Sequence, residues 1–310
     1  MNQEVFLTLP LILISSLSIV LILVDAFFKN RKLNHYLTLI ILFATGAAAV
    51  ATVGVPSQDI ALLMNSDTVT KGQITFGRIS AFFDILFIIA GILTTLGAKQ
   101  YLRREYAEYG EFYSMMVFSI VGMMLIAHSN SLLVLFIGIE LMTISFYVLS
   151  GFFRKREKSV ESAVKYFLLG SFATGFLLYG MAMIYGSTGH ISFTEISSAL
   201  AIGAYTPLYL LIGMGLLIVG LSFKIAAFPF HQWAPDVYEG APTVVTGFMS
   251  TAGKIAAAAA FIIVSKSMLT GAMQNCEATK YFGNYSFIVA IISVLTMFVG
   301  NISALVQTNV

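Results

Sequence analysis

The sequence predicts an all-α protein that crosses a membrane many times, and three observations predict it. Of its 310 residues, 58% are hydrophobic and only 10% charged, and the mean hydropathy of +0.89 is well above that of a soluble globular chain. Apolar runs of about 20 residues, the length a helix needs to cross a bilayer core, recur along the whole chain. These runs do not alternate as barrel strands would, and hydrocarbon offers no partner for backbone N–H and C=O groups, so helix is required.

Nine such windows follow one another, at 5–24, 34–54, 79–97, 112–128, 131–152, 161–184, 207–229, 243–264 and 285–306. The first is uncharged and lacks the basic flank and small-residue cleavage site of a removable signal. It therefore reads as a transmembrane helix that stays in the mature chain. Lys29, Arg31 and Lys32 follow the first window, Lys99, Arg103 and Arg104 the third, and Arg154, Lys155, Arg156 and Lys158 the fifth. The connections after the second, fourth, sixth and eighth windows hold only Lys71, Arg78, Lys266 and Lys280. The positive-inside rule then places the N-terminus outside and the odd-numbered connections in the cytoplasm. The expected location is a bacterial inner (plasma) membrane, crossed in multiple passes.

Composition also narrows the function classes. A single cysteine, Cys276, cannot build an iron–sulfur site or a zinc knuckle, and no metal or cofactor is expected on this chain. A net charge of +2, with no basic run interleaved with aromatics, gives no reason to expect a nucleic-acid partner. The expected surroundings are the lipid bilayer and other membrane subunits.

Three lysines fall inside helix windows: Lys165, Lys224 and Lys254. Glu140 is central in its window, and Asp84 lies near one end of its own. A charged side chain at a helix centre costs about 2.5–3.5 kcal/mol on insertion scales, so intramembrane charge marks ion or proton paths by default. Glu140 sits too deep for a short carboxylate to reach the interface, its bland alternative being a protonated acid bonded to a neighbouring helix. Lys254 lies among Ser250, Thr251, Ala252, Gly253 and a run of alanines, which lets neighbouring helices approach closely. Pure packing around an ammonium in a wet crevice is the alternative there. Lys165, near the basic connection, can snorkel to the interface, and by the window boundaries it differs in depth from Glu140 by about 9 Å.

Lys224 opens SFKIAAFPFHQWAPDVYEGAPTVV, residues 222–245. Pro229 has no N–H and clashes with the carbonyl of Ile225, so the seventh helix is expected to break just beyond Lys224. Broken helices at membrane depth occur where they line a watery cavity or are buried in protein, and His231 follows within reach. In the alternative reading the helix simply ends and HQWAPDVYEGAP is an interfacial loop, with Trp233 and Tyr238 as belt anchors. Glu111 and Asp84 read as interface residues, His231 as either a relay or a structural hydrogen-bonder, and His128 as structural beside a tight turn. His35 and His190 read as belonging to connections.

The stretches EFY (111–113), FIGIELMTISFYVL (136–149), ESAVKYFLLGSFATGFLLYGMAMIYG (161–186), FKIAAFPFHQWAPDVYEGAPTVV (223–245), STAGKIAAAAAF (250–261) and GNISALVQTNV (300–310) resemble the subunit N family of the respiratory NADH-quinone oxidoreductase, complex I. This is one of the antiporter-like membrane subunits, and the WAPDVYEGAP spelling looks like subunit N rather than its sisters L and M. The likeness covers the chain from about the third helix onward. It implies that Glu140 and Lys165 act as a charged pair, that Lys224 at the broken helix is the central proton-carrying group, and that Lys254 leads onward, with Glu111 and His231 as secondary candidates. It further implies that flavin, iron–sulfur clusters and quinone belong to other subunits, and that quinone reduction elsewhere drives the proton cycle. Family members have about fourteen helices in inverted repeats, so the resemblance implies a longer subunit whose second half-channel lies beyond residue 310. In domain terms, 1–110 holds the first three helices, 111–264 the antiporter-like repeat with helices four to eight, and 265–310 the start of a second repeat.

The expected function is proton translocation as a subunit of NADH:quinone oxidoreductase, with no redox chemistry on this chain. Two other functions stay open: a subunit of a multi-subunit cation/proton antiporter, and a structural membrane subunit whose charges serve packing alone.

Overall fold

The computed structural model describes residues 3–28, 31–54, 58–60 and 72–306. Lys29, Lys71 and the matching tail from Gln307 to Val310 lie outside the described residues. Among the described residues, nine helices are long and apolar enough to cross a membrane, and the chain is an all-α polytopic membrane protein. In order, the helices are α1 (Gln3–Phe28), α2 (Arg31–Thr52), α3 (Arg78–Arg104), α4 (Gly110–Ala127), α5 (Leu132–Ser150), α6 (Glu157–Thr188), α7 (Phe193–Ile202), α8 (Pro207–Ile225), α9 (Trp233–Gly240), α10 (Thr243–Phe248), α11 (Lys254–Ala272) and α12 (Cys276–Val306). A π-helical turn, Met249–Gly253, joins α10 to α11, so that Thr243–Ala272 forms one span.

Several elements depart from the sequence expectation. Strands β1 (Gln58–Ile60) and β2 (Ile74–Phe76) pair antiparallel, Gln58 opposite Phe76 and Ile60 opposite Ile74. They belong to the polar connection outside the hydrocarbon span, where backbone groups can pair between segments. α7 has ten residues, about 15 Å of helix and too short to cross; it is closed by Gly203 at φ +77°, a left-handed cap suited to glycine. Lys266 lies within α11 rather than in a connection. His35 lies in the first turns of α2, 4% exposed, with its ring against Tyr36 and Tyr113. Asp84, expected at an interface, is 1% exposed.

Contacts divide the chain into two compact units. The first holds Met1–Phe167 with Val237–Ala260, and the second Leu168–Asp236 with Phe261–Val310. In the first unit, α4 and α5 are joined by the tight turn at His128–Asn130, and Ser131 caps α5 by accepting from the Val134 N–H. The two helices approach through glycine. A Cβ on Gly122 would stand 2.5 Å from the Met142 nitrogen, and one on Gly138 would stand 2.9 Å from the Gly122 carbonyl oxygen. Small residues let membrane helices bring their backbones together where lipid provides no hydrophobic drive for association. Gly240, at the end of α9, packs as closely on α6, with a Cβ position 2.3 Å from the Lys158 carbonyl oxygen.

In the second unit the same device sets α6 against α8. A Cβ on Gly180 would meet the Gly213 carbonyl oxygen at 2.9 Å, and one on Gly220 would meet the Leu177 Cβ at 2.8 Å. Gly213, Gly220 and Lys224 recur at spacings of seven and four along α8, and Gly180, Leu177 and Thr174 at three and three along α6. Each set therefore lies on one helix face, and the antiparallel seam carries on from Gly180 and Gly213 to Thr174 and Lys224.

Replacing Gly122 with valine forces backbone apart at the α4–α5 crossing, a strain of about 1–3 kcal/mol. The Gly122→Val chain is expected to accumulate less in membranes and to unfold at lower temperature than the parent, while Ser145→Ala, which frees only a hydroxyl bonded within its own helix, is expected to match it.

Candidate functional site

Helix α8 ends at Ile225. Ala226 takes the left-handed conformation at φ +57°, and its successor's N–H returns to the Ser222 carbonyl at 2.9 Å, the six-to-one bond of a Schellman cap. The Phe228–Pro229 peptide is cis, and helix resumes only at Trp233. The seventh span is thus interrupted immediately after Lys224. Trp233 is 4% exposed, donates its indole N–H to the Phe223 carbonyl at 3.0 Å and stacks on the Phe223 ring, so it braces the interruption and is no belt anchor. The Phe228 N–H, which no helix satisfies, donates to Thr296 Oγ1 of α12 at 3.0 Å.

Lys224 is 7% exposed, in the last turn of α8, with Nζ 3.5 Å from Thr174 Oγ1 of α6. Two further polar atoms of this unit are buried without a hydrogen-bond partner among the described residues: Ser222 Oγ, two residues before the lysine, and His231 Nδ1. His231 packs its ring 5.7 Å from that of Phe228. Thr174 and Ser222 carried no signal in the sequence. Only the glycine spacing of α6 and α8, read as a packing seam, points to Thr174.

The first unit holds Glu140, Lys165, Lys254 and Glu111. α6 begins at Glu157, earlier than its apolar window, and this changes the depth comparison. Lys165 is eight residues from that start and Glu140 ten from the end of α5, a difference of about 3 Å rather than 9 Å along parallel axes. Lys165 forms an ion pair with Glu161 one turn earlier, at 2.7 Å, its side chain 42% exposed. A cavity of about 470 Å³ opens beside it, lined also by Arg154, Lys155, Glu157 and Glu161.

Glu140 is half-buried and lies within electrostatic reach of the Tyr147 and Tyr166 hydroxyls. Tyr147 of α5 and Tyr166 of α6 meet edge to face with ring centroids 4.8 Å apart. Tyr166 is buried and also within electrostatic reach of Tyr238 of α9. The Tyr238 ring in turn lies 5.7 Å from Lys254 Nζ, within cation–π range. Three tyrosines therefore stand between Glu140 and Lys254. The sequence reading passed over two of them and treated Tyr238 only as an alternative belt anchor.

Lys254 follows directly on the π turn, which inserts one residue into the helical repeat and so turns every later side chain about the axis. Gly253, the last residue of the turn, leaves room for the Phe146 ring, since a Cβ there would stand 2.9 Å from it. Glu111 is exposed in the first turn of α4, close enough to Asp25 to act on it electrostatically. Among the described residues no group of three or more His, Cys, Asp or Glu side chains is placed to hold a metal ion.

Buried amines and carboxylates among hydroxyls can bind and release protons; they offer no redox group. Comparison with known proteins places the chain among membrane subunits of respiratory and antiporter complexes. The chain is 41% identical over 309 residues to NADH-quinone oxidoreductase subunit N 1 of Chloroherpeton thalassium, covering 100% of this chain and 61% of that one. It is 42% identical to subunit N of Trichlorobacter lovleyi, covering 97% and 59%. The likeness thus reaches the first two helices as well as the later ones, and the chain spans about six tenths of the length of these curated relatives. Among solved structures, a chain of respiratory complex I from Thermus thermophilus with bound aureothin matches at a TM-score of 0.74 and 31% identity, over 96% of this chain and 58% of that one. A chain of the Mrp complex from Dietzia shares the fold at a TM-score of 0.70 and 20% identity, over 86% of this chain and 49% of that one. The interrupted α8, the buried lysine at its end and the α5–α6 pairing all fall within the segment 129–310 that matches the family described as NADH:quinone oxidoreductase/Mrp antiporter, TM, and the chain belongs to that family.

Proposed function

We propose that this chain belongs to a proton-translocating membrane subunit of an NADH-quinone oxidoreductase, seated among other membrane subunits of a bacterial respiratory complex with its N-terminus outside. Flavin, iron–sulfur clusters and quinone belong to those other subunits. The observation that carries the reading is Lys224, a buried amine beside a hydroxyl at the end of an interrupted helix. Low dielectric weakens an amine's hold on its proton, and a nearby negative group restores it. A lysine so placed can load and unload if its surroundings alternate.

Glu140, Lys165 and Lys254 take the remaining carrier roles, with Glu111 and His231 secondary. In the first unit Tyr147, Tyr166 and Tyr238 supply hydroxyls that can pass a proton while staying neutral, which suits the space between a carboxylate and an amine. The driving force is quinone reduction elsewhere in the complex.

The fold shared with an Mrp chain supports a second reading, a cation/proton antiporter subunit. The two separate on the energy source. Sodium- or potassium-dependent proton exchange without NADH favours the antiporter, and NADH-dependent pumping the oxidoreductase.

In the full-length subunit within its complex, Lys224→Ala is expected to slow coupled proton pumping by tenfold or more, the order of a lost proton-transfer group, with the complex still assembled. Pumping at the parental rate removes Lys224 from the pathway. Tyr166→Phe keeps the ring contact with Tyr147 and deletes only the hydroxyl; pumping in this variant is expected to fall by roughly tenfold, measured as acidification in inverted vesicles, and an unchanged rate shows that the hydroxyl is idle.

A further inference from the structure

Outside the residues just discussed, one buried ionisable pair has no part in the proposed cycle. Asp84, on the second turn of α3, and His128, which caps the C-terminus of α4, are 1% and 4% exposed, and Asp84 Oδ2 lies 2.8 Å from His128 Nε2. The pair stands at the end of α3 opposite Arg103 and Arg104, and so on the membrane face opposite the basic connections. Burying two charges there is no route to stability, because apolar side chains of similar volume stabilise as well or better. Ionisable groups at such depth are by default functional.

The hydrogen bonds count the protons. His128 Nδ1 is 3.1 Å from the Thr75 carbonyl oxygen, which can only accept, so Nδ1 carries a hydrogen. A contact of 2.8 Å between Nε2 and Oδ2 needs a hydrogen between them, whether the pair is carboxylic acid with imidazole or carboxylate with imidazolium. One proton beyond that on Nδ1 is therefore held. Asp84 Oδ1 is buried with no hydrogen-bond partner among the described residues. A second proton can bind there while the Nε2–Oδ2 bond stays intact.

We propose that Asp84 and His128 form a proton-binding dyad, neutral with one shared proton and positive with a second on Asp84 Oδ1, exchanged with water at the membrane face opposite the basic connections. On loading, an O–H bond forms at Oδ1 and one breaks in hydronium, which leaves as water; unloading reverses this. His128 stands at the C-terminus of α4, where its backbone N–H bonds the Met124 carbonyl at 3.0 Å. The groups against the pair are the Thr75 carbonyl and the Phe76 ring, 4.5 Å from the imidazole, neither of them titratable; on the paired strand β1 the acidic residue Asp59 stands opposite Thr75. Of the charged residues on the packed helices, Arg78 is in the first turn of α3, Glu140 is mid-way along α5, and Glu111 and His35 are at the far ends of α4 and α2.

The inference rests on the proton-translocation reading, and the experiment separates the two. Asp84→Asn is close to isosteric, and its amide can donate to Nε2 of the Nδ1-protonated imidazole, so the packing and the hydrogen bond remain while Oδ1 becomes an amide oxygen that does not take up a proton. In the full-length subunit within its complex, D84N is expected to assemble at the parental level yet lose most of its NADH-driven proton pumping, with an altered pH profile. Parental pumping at every pH overturns the dyad; if Lys224→Ala pumps like the parent as well, the proton-translocation reading falls with it. Should D84N fail to assemble, infrared difference spectra of the native complex and of its His128→Gln variant decide. A carboxylic-acid C=O band that grows as external pH falls in the native complex and is altered in the variant supports the dyad; native spectra in which no such band follows pH overturn it.

Discussion

Hydrocarbon neither bonds the backbone nor tolerates charge, and both refusals act on the same few residues here. A helix that stops inside the membrane must have its free N–H and C=O groups met by neighbours. At the end of α8 this is done by a left-handed cap at Ala226, by Thr296, and by Trp233 donating to the Phe223 carbonyl. Once the backbone is satisfied in this way, an amine can be buried at the interruption. Lys224 sits there, and Thr174 provides a neutral oxygen that suits either state of charge.

Placement of the functional side chains depends on glycine as much as on charge. Gly180, Gly213 and Gly220 bring α6 and α8 close enough for Thr174 to meet Lys224. Gly122 and Gly138 do the same for α4 and α5, which carry His128 and Glu140, and Gly253 accommodates the Phe146 ring just before Lys254. In lipid, close contact comes from van der Waals fit and not from water release. An added Cβ is therefore felt directly at the neighbouring polar contact.

Charge is distributed between two chemical settings. Lys165 and Glu161 near the start of α6 are exposed and paired with each other, and an exposed ion pair contributes little to stability. Lys224 and the Asp84–His128 pair are dry. Dry groups respond strongly to a neighbour's proton, which makes them useful for binding protons and costly to keep otherwise.

The sequence by itself determined the helical class, the number and approximate place of the spans, the interruption after Lys224 and the unusual status of Glu140, Lys165, Lys224 and Lys254. Each of these follows from a local rule: hydrocarbon thickness, the missing N–H of Pro229, or the rarity of charge in apolar runs. Asp84 and His35 were misjudged because burial near a helix end depends on what covers it, here His128 for Asp84 and Tyr113 of α4 for His35. Tyr147, Tyr166 and Thr174 look like ordinary lining of apolar helices until α5 is set beside the start of α6 in one unit and α8 beside the rest of α6 in the other. The π turn before Lys254 left no sign in composition, since one extra residue in a helical repeat changes direction and not hydropathy. Only the tertiary structure decided these, because which side chains meet across helices is fixed by backbone approach and rotation, quantities that a one-dimensional pattern does not contain.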